Sequence, residues 1–321
     1  MKYYLAPIEG ITTYNFRRAY HKYYGGMEKY FTPFIANRNL SSRERNDILP
    51  EHNRGMNTVP QILTNRADEF LSISRTLADY GYQTVNLNLG CPSGTVVSRK
   101  RGAGFLSVPE ELERFLDEIF SKSTVGISVK TRIGVENTEE WERLLTLYEK
   151  YPMEELIIHP QLQKEGYGGH VHPEAFRSAA SRLETPLCYN GDLISLNASS
   201  PEYGSLGWLS SCCGEVNAVM LGRGILQNPG MLTGDNSLST LRAFHDEILE
   251  GYLKIMSGDA NTLYKMKDLW TFLIRGFGNS EKHLKKIRKA GRVSEYCLAV
   301  DAIFRECGPG HAGCQTFRTP S

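Results

Sequence analysis

Residues 84–92 read Thr-Val-Asn-Leu-Asn-Leu-Gly-Cys-Pro, and the interpretation of the whole chain starts from this stretch. Polar and apolar residues alternate through its first six positions, which predicts a β-strand because successive side chains of a strand point to opposite faces. Asn86 and Asn88 would then share one face of the strand. Gly90-Cys91-Pro92 predicts a turn directly afterwards, so the Cys91 thiol would lie at a strand end.

Short apolar runs of this kind recur eight times in the first two-thirds of the chain. They are Tyr3–Ala6, Phe31–Ile35, Val59–Leu63, Thr84–Leu89, Gly126–Lys130, Leu156–His159, Leu187–Asn190 and Ala218–Leu221. Segments with helical periodicity separate most of them, at 67–80, 109–120, 139–151 and 173–182. Strands that alternate with helices indicate parallel βαβ units. Eight such units predict an α/β fold, a closed (β/α)8 TIM barrel over residues 1–236.

The strand pattern stops near Gly234, and a smaller all-α helical domain is predicted for residues 237–321, with helices at 240–256, 262–275, 281–291 and 293–307. Residues 239–321 carry 13 Lys and Arg against 9 Asp and Glu, whereas residues 1–238 carry 24 against 27. A basic tail on an acidic body favours a polyanionic partner. No apolar run is long enough to span a bilayer, so no membrane association is predicted. Seven irregularly spaced cysteines and no export signal predict a reduced cytoplasmic protein.

Seven of the eight predicted strands end in polar or glycine-rich residues. These are Pro7-Ile8-Glu9-Gly10, Gln61, Asn86 to Pro92, Lys130-Thr131-Arg132, His159, Asn190-Gly191-Asp192 and Gly222-Arg223-Gly224. Catalytic groups of a (β/α)8 barrel lie at the C-terminal ends of its strands. A thiol there can act as nucleophile or proton donor, so Cys91 is the candidate catalytic residue. Lys130 ends an apolar strand, which predicts a cation held against the electron-rich end of a cofactor.

The last two strand ends predict a phosphate site. Gly191, Gly222 and Gly224 would let backbone amides approach an anion closely, and Arg223 would supply positive charge. Barrels commonly bind phosphate after their seventh and eighth strands, which is where these residues fall.

Motifs of several other enzyme classes are missing from the sequence. There is no GxGxxG after an early strand, no GxxxxGK[ST] and no HExxH, which disfavours a Rossmann dehydrogenase, a P-loop NTPase and a zincin. No metal site is predicted, because Cys307, His311 and Cys314 offer only three ligands in a Gly/Pro-rich terminal segment.

Seven segments resemble those of a known family, the tRNA-dihydrouridine synthases. They are Ala6–Thr12, Val59–Ile62, Asn86–Ser93, Arg99–Gly104, Val129–Gly134, Asn190–Asp192 and Leu221–Gly224. They occur in the family's order and with its spacing over residues 1–230. The helical region 237–321 is compatible, by kind and length, with the family's C-terminal RNA-binding domain. Gly-Cys-Pro-Ser at 90–93, followed by a glycine-rich stretch, is the most specific of them. The chain departs from the family after His159, where Pro160-Gln161 stands in place of the common Gly-Arg.

The resemblance implies a bound FMN, NADPH as the reductant and tRNA as the substrate. By position, Pro7 and Ile8 would pack at the flavin, and Gln61 and Lys130 would meet its pyrimidine edge. The ribityl-phosphate end would be held by His159, Asn190, Gly191, Asp192, Gly222 and Arg223. Reduced flavin would deliver a hydride to uracil C6, Cys91 would donate a proton to C5, and Asn88 would help to place the base.

Two other functions fit the same residues. A flavin barrel acting on a free pyrimidine, as dihydroorotate and dihydropyrimidine dehydrogenases do, would share the cofactor site but would not need a basic helical tail. A barrel kept only as an idle RNA-binding scaffold would not need Cys91, Lys130 and Arg223 together. The resemblance also implies a monomer without an obligate protein partner.

Overall fold

The computed structural model describes residues 1–278 and 280–308, and in this part of the chain nine strands form one sheet. The strands are β1 (Lys2–Leu5), β2 (Lys29–Phe31), β3 (Thr58–Val59), β4 (Gln61–Ile62), β5 (Thr84–Leu89), β6 (Gly126–Arg132), β7 (Glu155–His159), β8 (Leu187–Asn190) and β9 (Ala218–Leu221). Their order is β3-β2-β1-β9-β8-β7-β6-β5-β4, and every pairing is parallel. This arrangement confirms the predicted barrel.

Pro60 divides one predicted strand and forms the seam of the barrel. The sequence predicts a single strand over 59–63, whereas the structure has β3 and β4 on either side of Pro60. Proline has no N–H to donate, so the ladder of hydrogen bonds is interrupted there. The Pro60 carbonyl still accepts a hydrogen bond from the Asn86 N–H at 2.8 Å. Because β3 pairs with β2 and β4 pairs with β5, the nine strands make a barrel of eight units.

Helices follow the strands, and the long ones lie where periodicity predicts them. The helices of the barrel are α1 (Tyr14–Tyr23), α2 (Ser42–Ile48), α3 (Ala67–Asp79), α4 (Gly94–Val97), α5 (Pro109–Lys122), α6 (Glu140–Tyr148), α7 (Pro173–Arg182), α8 (Leu206–Cys213) and α9 (Arg223–Gln227). The short helices α2, α4, α8 and α9 are not predicted, because so few residues show no clear period. For α2 a local signal exists, since Ser41 and Glu44 form a capping box at its start.

Four further helices make up the C-terminal part: α10 (Leu238–Ile255), α11 (Gly258–Leu273), α12 (Glu281–Lys289) and α13 (Val293–Glu306). The described residues beyond β9 contain no strand, in agreement with the predicted helical region. The division of domains at residue 236 stays a prediction. None of the helices in the described ranges combines the length and apolarity required to cross a bilayer.

The helical region shares a core with the barrel, because α10 packs against α1. Phe244 of α10 is fully buried, and its ring centre lies 5.4 Å from those of Phe16 and Tyr24. Gly251 permits close approach of the two helices, since a Cβ at this position would lie 2.8 Å from Asn15 Oδ1. The contact therefore depends on interlocking shapes as well as on apolar burial.

We expect Phe244→Ala to lower the free energy of unfolding by about 3–5 kcal/mol, because it leaves a cavity among aromatic rings. Urea denaturation followed by circular dichroism measures the change. Leu298→Ala is the matched control, since Leu298 is 70% exposed on α13 and its loss should change stability by less than about 0.5 kcal/mol. Equal midpoints for Phe244→Ala and the wild type would contradict the shared core.

Candidate active site

A cavity of about 560 Å³ opens at the C-terminal ends of the barrel strands. It is lined by all twelve site residues nominated from the sequence: Pro7, Ile8, Gln61, Asn88, Cys91, Lys130, His159, Asn190, Gly191, Asp192, Gly222 and Arg223. This is the end of the barrel at which (β/α)8 enzymes carry their active sites, and the volume is typical of a small-molecule site. The structure brings the twelve residues together, while their individual roles stay predictions.

A chain of buried amide side chains crosses the floor of the cavity. Gln61 Nε2 donates to Asn86 Oδ1 at 2.8 Å, and Asn88 Nδ2 donates to Gln61 Oε1 at 2.7 Å. Asn86 Nδ2 in turn donates to Ser128 Oγ at 2.9 Å. The two asparagines do share a face of β5, as the alternation predicts. These hydrogen bonds fix the orientation of each amide group. One of the two Nε2 hydrogens of Gln61 is not used in them and can bind a ligand.

The turn that carries Cys91 is held from both sides. Asn88 Oδ1 accepts from the Gly90 and Cys91 N–H groups, each at 3.0 Å, and the Cys91 carbonyl accepts from the Ala103 N–H at 3.1 Å. Gly102 has φ +55°, and a Cβ there would lie 2.9 Å from the Cys91 carbonyl oxygen. The glycine-rich stretch therefore packs on the cysteine backbone. Asn88 is a positioning residue for this turn, and its contact with a substrate stays a prediction.

The environment of the Cys91 thiol favours the protonated form. The side chain is half-buried, and burial raises its pKa above the ordinary cysteine value. The Ser93 N–H and the charges of Lys130 and Arg132 act in the opposite direction without overcoming burial. A thiol in this state is a better proton donor than nucleophile at neutral pH. Of the two roles that the sequence leaves open for Cys91, nucleophile and proton donor, the raised pKa favours the proton donor, and the role itself stays a prediction.

Arg132 acts mainly through the backbone. Its side chain is fully buried and donates from Nε to the Gly90 carbonyl at 3.0 Å and from Nη1 to the Leu162 carbonyl at 2.8 Å. It therefore ties the turn after β5 to the loop after β7. Burial lowers its pKa to about 10, so the guanidinium stays charged at neutral pH.

Lys130 and His159 lie close to the Arg132 charge in the cavity wall. Burial first, and then Arg132, lower the pKa of Lys130 to about 8. The same two causes lower the pKa of His159 well below its ordinary value, so its imidazole is neutral at pH 7. Within the described residues, His159 Nε2 is buried without a hydrogen-bond partner. An unpaired buried nitrogen is costly, which indicates a ligand group at this position.

We expect Lys130→Met to stabilise the ligand-free protein at pH 7, by on the order of 1 kcal/mol, because it removes a partly buried charge that is desolvated in the cavity wall. The lysine pKa is about 8 in the folded protein and about 10.4 in an unfolded chain. Between these two pKa values the unfolded state binds more protons than the folded state, so the free energy of unfolding of the wild type rises with pH. The difference in stability between Lys130→Met and the wild type therefore becomes smaller as the pH rises. Urea denaturation at pH 7 and pH 9.5 tests this, with Lys285→Met on exposed α12 as control. A variant less stable than wild type at pH 7 would refute it.

Arg223 is joined to the loops that follow β7 and β8. Its Nη2 pairs with Asp192 Oδ1, and its Nη1 donates to the Tyr167 carbonyl at 2.5 Å. Two cations lie near the Tyr167 ring, with the Arg132 and Arg223 guanidinium carbons each 5.7 Å from its centre. The aromatic ring also lines the cavity, a position that the sequence analysis does not assign to it.

The glycines near Arg223 are required for different reasons. A Cβ on Gly191 would lie 2.4 Å from the Tyr189 hydroxyl, and one on Gly224 would lie 2.2 Å from the Leu193 carbonyl oxygen. Packing alone therefore explains these two glycines, which the sequence predicts to be there for the close approach of an anion. Gly222 differs, since its nearest neighbours would be 3.5 Å away or more and its open side faces the cavity.

The helical region supplies part of the cavity wall that the sequence analysis misses. Its contributions are Thr271, Phe272, Arg275 and Arg288. The run Lys285-Lys286-Ile287-Arg288-Lys289 signals a basic helix face, but it does not reveal which barrel strand that face meets. No group of three or more potential metal ligands occurs in the described ranges. His311 and Cys314 lie outside them.

A parallel barrel with a lined cavity at its strand ends defines an enzyme of the (β/α)8 class. The family model for dihydrouridine synthases matches residues 4–296, so the chain belongs to the dihydrouridine synthase family and is an NAD(P)H-dependent flavin oxidoreductase. It is 26% identical over 239 residues to tRNA-dihydrouridine synthase B of Pasteurella multocida, covering 73% of this chain and 69% of that protein. It is 25% identical over 315 residues to a probable tRNA-dihydrouridine synthase of Staphylococcus epidermidis, covering 93% of both.

Proposed function

We propose that the protein reduces the C5–C6 bond of uridines in tRNA to dihydrouridine, with FMN as its bound cofactor and NADPH as its reductant. The observation that carries the proposal is the single cavity that the Cys91 thiol lines together with every residue predicted for the flavin. Burial raises the pKa of this thiol, which favours its protonated form. The family match over residues 4–296 supports the same reaction. That the protein acts as a cytoplasmic monomer stays a prediction.

The residues of the cavity fit FMN. His159 Nε2, buried and unpaired among the described residues, would pair with a hydroxyl of the ribityl chain. The spare Nε2 hydrogen of Gln61 would bind a carbonyl of the pyrimidine edge, and the Lys130 ammonium would stabilise negative charge there. Gly222 leaves room for the cofactor where any side chain would intrude, and Arg223 supplies charge for its phosphate.

Side chains of the protein supply the proton that the reaction requires and stabilise the thiolate that remains. When bound and reduced, FMN supplies the hydride for uracil C6. Cys91 donates its Sγ proton to C5, and burial keeps that proton on sulfur until the base arrives. The turn that Asn88 and Ala103 hold keeps the thiol directed at one position. Lys130 and Arg132 then stabilise the thiolate, since both charges lower the pKa of Cys91.

The charge of α12 supports an RNA substrate. Five basic residues of this helix are exposed, and no ion pair joins them to any described residue: Lys282, Lys285, Lys286, Arg288 and Lys289. Free surface cations of this density bind phosphate backbones by releasing counterions. Arg288 also lines the cavity, so the basic face reaches the active site. A uridine would have to leave its stack to enter, which favours loops of folded RNA.

The test is the dihydrouridine content of unmodified tRNA after incubation with the purified protein and NADPH, measured by mass spectrometry of the nucleosides. We expect dihydrouridine to appear. Repeating the reaction with NADH and comparing the rates shows which of the two reductants the protein prefers. Consumption of uracil or orotate with no change in tRNA would replace the proposal with a free-pyrimidine reductase. A protein that binds tRNA but neither binds flavin nor oxidises NADPH would be an RNA-binding scaffold.

A further inference from the structure

Three arginines from separate elements line the active-site cavity, and two of them belong to the helical region. Arg223 begins α9, Arg275 follows α11, and Arg288 lies on α12. The family resemblance implies a cofactor contact for only one of these arginines, Arg223, and an RNA-binding role for the helical region. The structure does not separate the two roles in this way, because residues of the barrel and of the helical region line the same cavity.

Close packing holds Arg275 beside Arg223. Gly276 follows Arg275, and a Cβ at this glycine would lie 2.7 Å from the Gln227 carbonyl oxygen. Only glycine therefore allows the chain after α11 to approach so near. Gln227 is the last residue of the five-residue helix α9, so it lies about 6 Å along the axis from Arg223. The Arg223 charge in turn lowers the pKa of Arg275, an effect second only to burial.

The charges that line the cavity do not balance. Lys130, Arg223, Arg275 and Arg288 are cationic, against the two carboxylates Glu9 and Asp192. Asp192 pairs with Arg223, whereas neither Arg275 nor Arg288 forms an ion pair or hydrogen bond with any described residue. Cations gathered without counter-charges repel one another. Lys130 lies at the predicted pyrimidine edge and Glu9 pairs with Arg43, so the two charges left for a phosphate are those of Arg275 and Arg288. Two positive charges match a phosphate monoester, which carries about −1.5 to −2 at pH 7, better than a diester with one charge.

We propose that Arg275 and Arg288 complete the binding site for the phosphate group of the flavin cofactor. The helical region is then part of the cofactor site as well as an RNA-binding surface. This inference rests on the proposed function, since it requires a flavin in the barrel. Arg275 and Arg288 are distant in sequence from the barrel motifs. By binding the phosphate they would distinguish FMN from riboflavin, which has none.

The experiment compares FMN with riboflavin, which has the same ring and ribityl chain but no phosphate. Flavin is removed from the full-length protein, and each compound is titrated back while flavin fluorescence is followed. Arg275→Ala and Arg288→Ala should each weaken FMN binding by about tenfold and leave riboflavin binding unchanged. Riboflavin binding also reports that each variant is folded. Lys285→Ala, on the same helix but not in the cavity lining, should change neither.

Two results would overturn the inference, and they are distinguishable. If both arginine variants keep the wild-type ratio of FMN to riboflavin affinity while the KM for tRNA rises, the arginines contact the RNA backbone and the proposed function stands. If the wild-type protein binds neither flavin, the proposed function fails and this inference fails with it. Restoration of FMN affinity by Arg275→Lys would support charge as the cause.

Discussion

Replacing Cys91 with alanine is expected to abolish dihydrouridine formation, with turnover on tRNA reduced by about 10²–10⁴-fold. The thiol is the one protonated acid that the structure places on the turn after β5, and alanine cannot supply its proton. Flavin binding and the reduction of flavin by NADPH should be unchanged, because no predicted flavin contact is lost. The backbone bonds that hold the turn are also kept, since they involve only the Cys91 N–H and carbonyl.

Stopped-flow absorbance separates the two half-reactions of this variant. Flavin bleaching by NADPH should follow the wild-type rate, and recolouring on addition of tRNA should be lost. Cys212→Ala is the matched control, because Cys212 is a partly exposed free thiol on α8 outside the cavity lining. Recolouring at the wild-type rate in Cys91→Ala would exclude Cys91 as the proton donor.

Reversing the charge of Arg223 is expected to yield a colourless protein. Arg223→Glu would place a carboxylate beside Asp192 at the position predicted for the cofactor phosphate, so repulsion replaces a charge-assisted hydrogen bond. We expect FMN affinity to fall by at least about 100-fold, which corresponds to roughly 2.7 kcal/mol. Flavin absorbance relative to protein absorbance in the purified variant, followed by titration with FMN, measures this loss.

The control for Arg223→Glu makes the same charge change elsewhere on the barrel. Arg177 is exposed on α7 and does not line the cavity, so Arg177→Glu should keep its flavin. Circular dichroism must show that Arg223→Glu is folded, because Arg223 also holds the Tyr167 carbonyl. Full FMN occupancy in a folded Arg223→Glu protein would show that the FMN phosphate does not bind in this part of the cavity.

The fold is predictable from the sequence because its signals are local. Alternation over six residues identifies β5, and periodicity over ten or more residues identifies α3, α5 and α7. The divided strand at Pro60 is the informative exception. Proline predicts a missing donor but does not reveal that the two halves pair with different neighbours, because pairing is a property of the closed ring.

The candidate site is predictable only in part, for a related reason. A polar residue at a strand end is visible in the sequence, so Cys91, Lys130 and Arg223 can be nominated and are found in one cavity. What each atom bonds to is not visible. Asn88 holds the Cys91 turn, which the sequence cannot distinguish from a contact with substrate. Arg275 is missed altogether, since it reaches the cavity only through tertiary packing of α11 on α9.

The wall that the helical region contributes is the last part of the cavity to be synthesised. Residues 271–288 leave the ribosome after all nine strands, so the barrel is synthesised before its cavity is complete. Until α10 emerges, the apolar surface around Phe16 has no cover, and a nascent barrel that waits in this state is exposed to aggregation. On the inference that Arg275 and Arg288 bind the cofactor phosphate, FMN affinity reaches its full value only after these residues have been added, and a chain that ends in its last quarter should bind FMN more weakly.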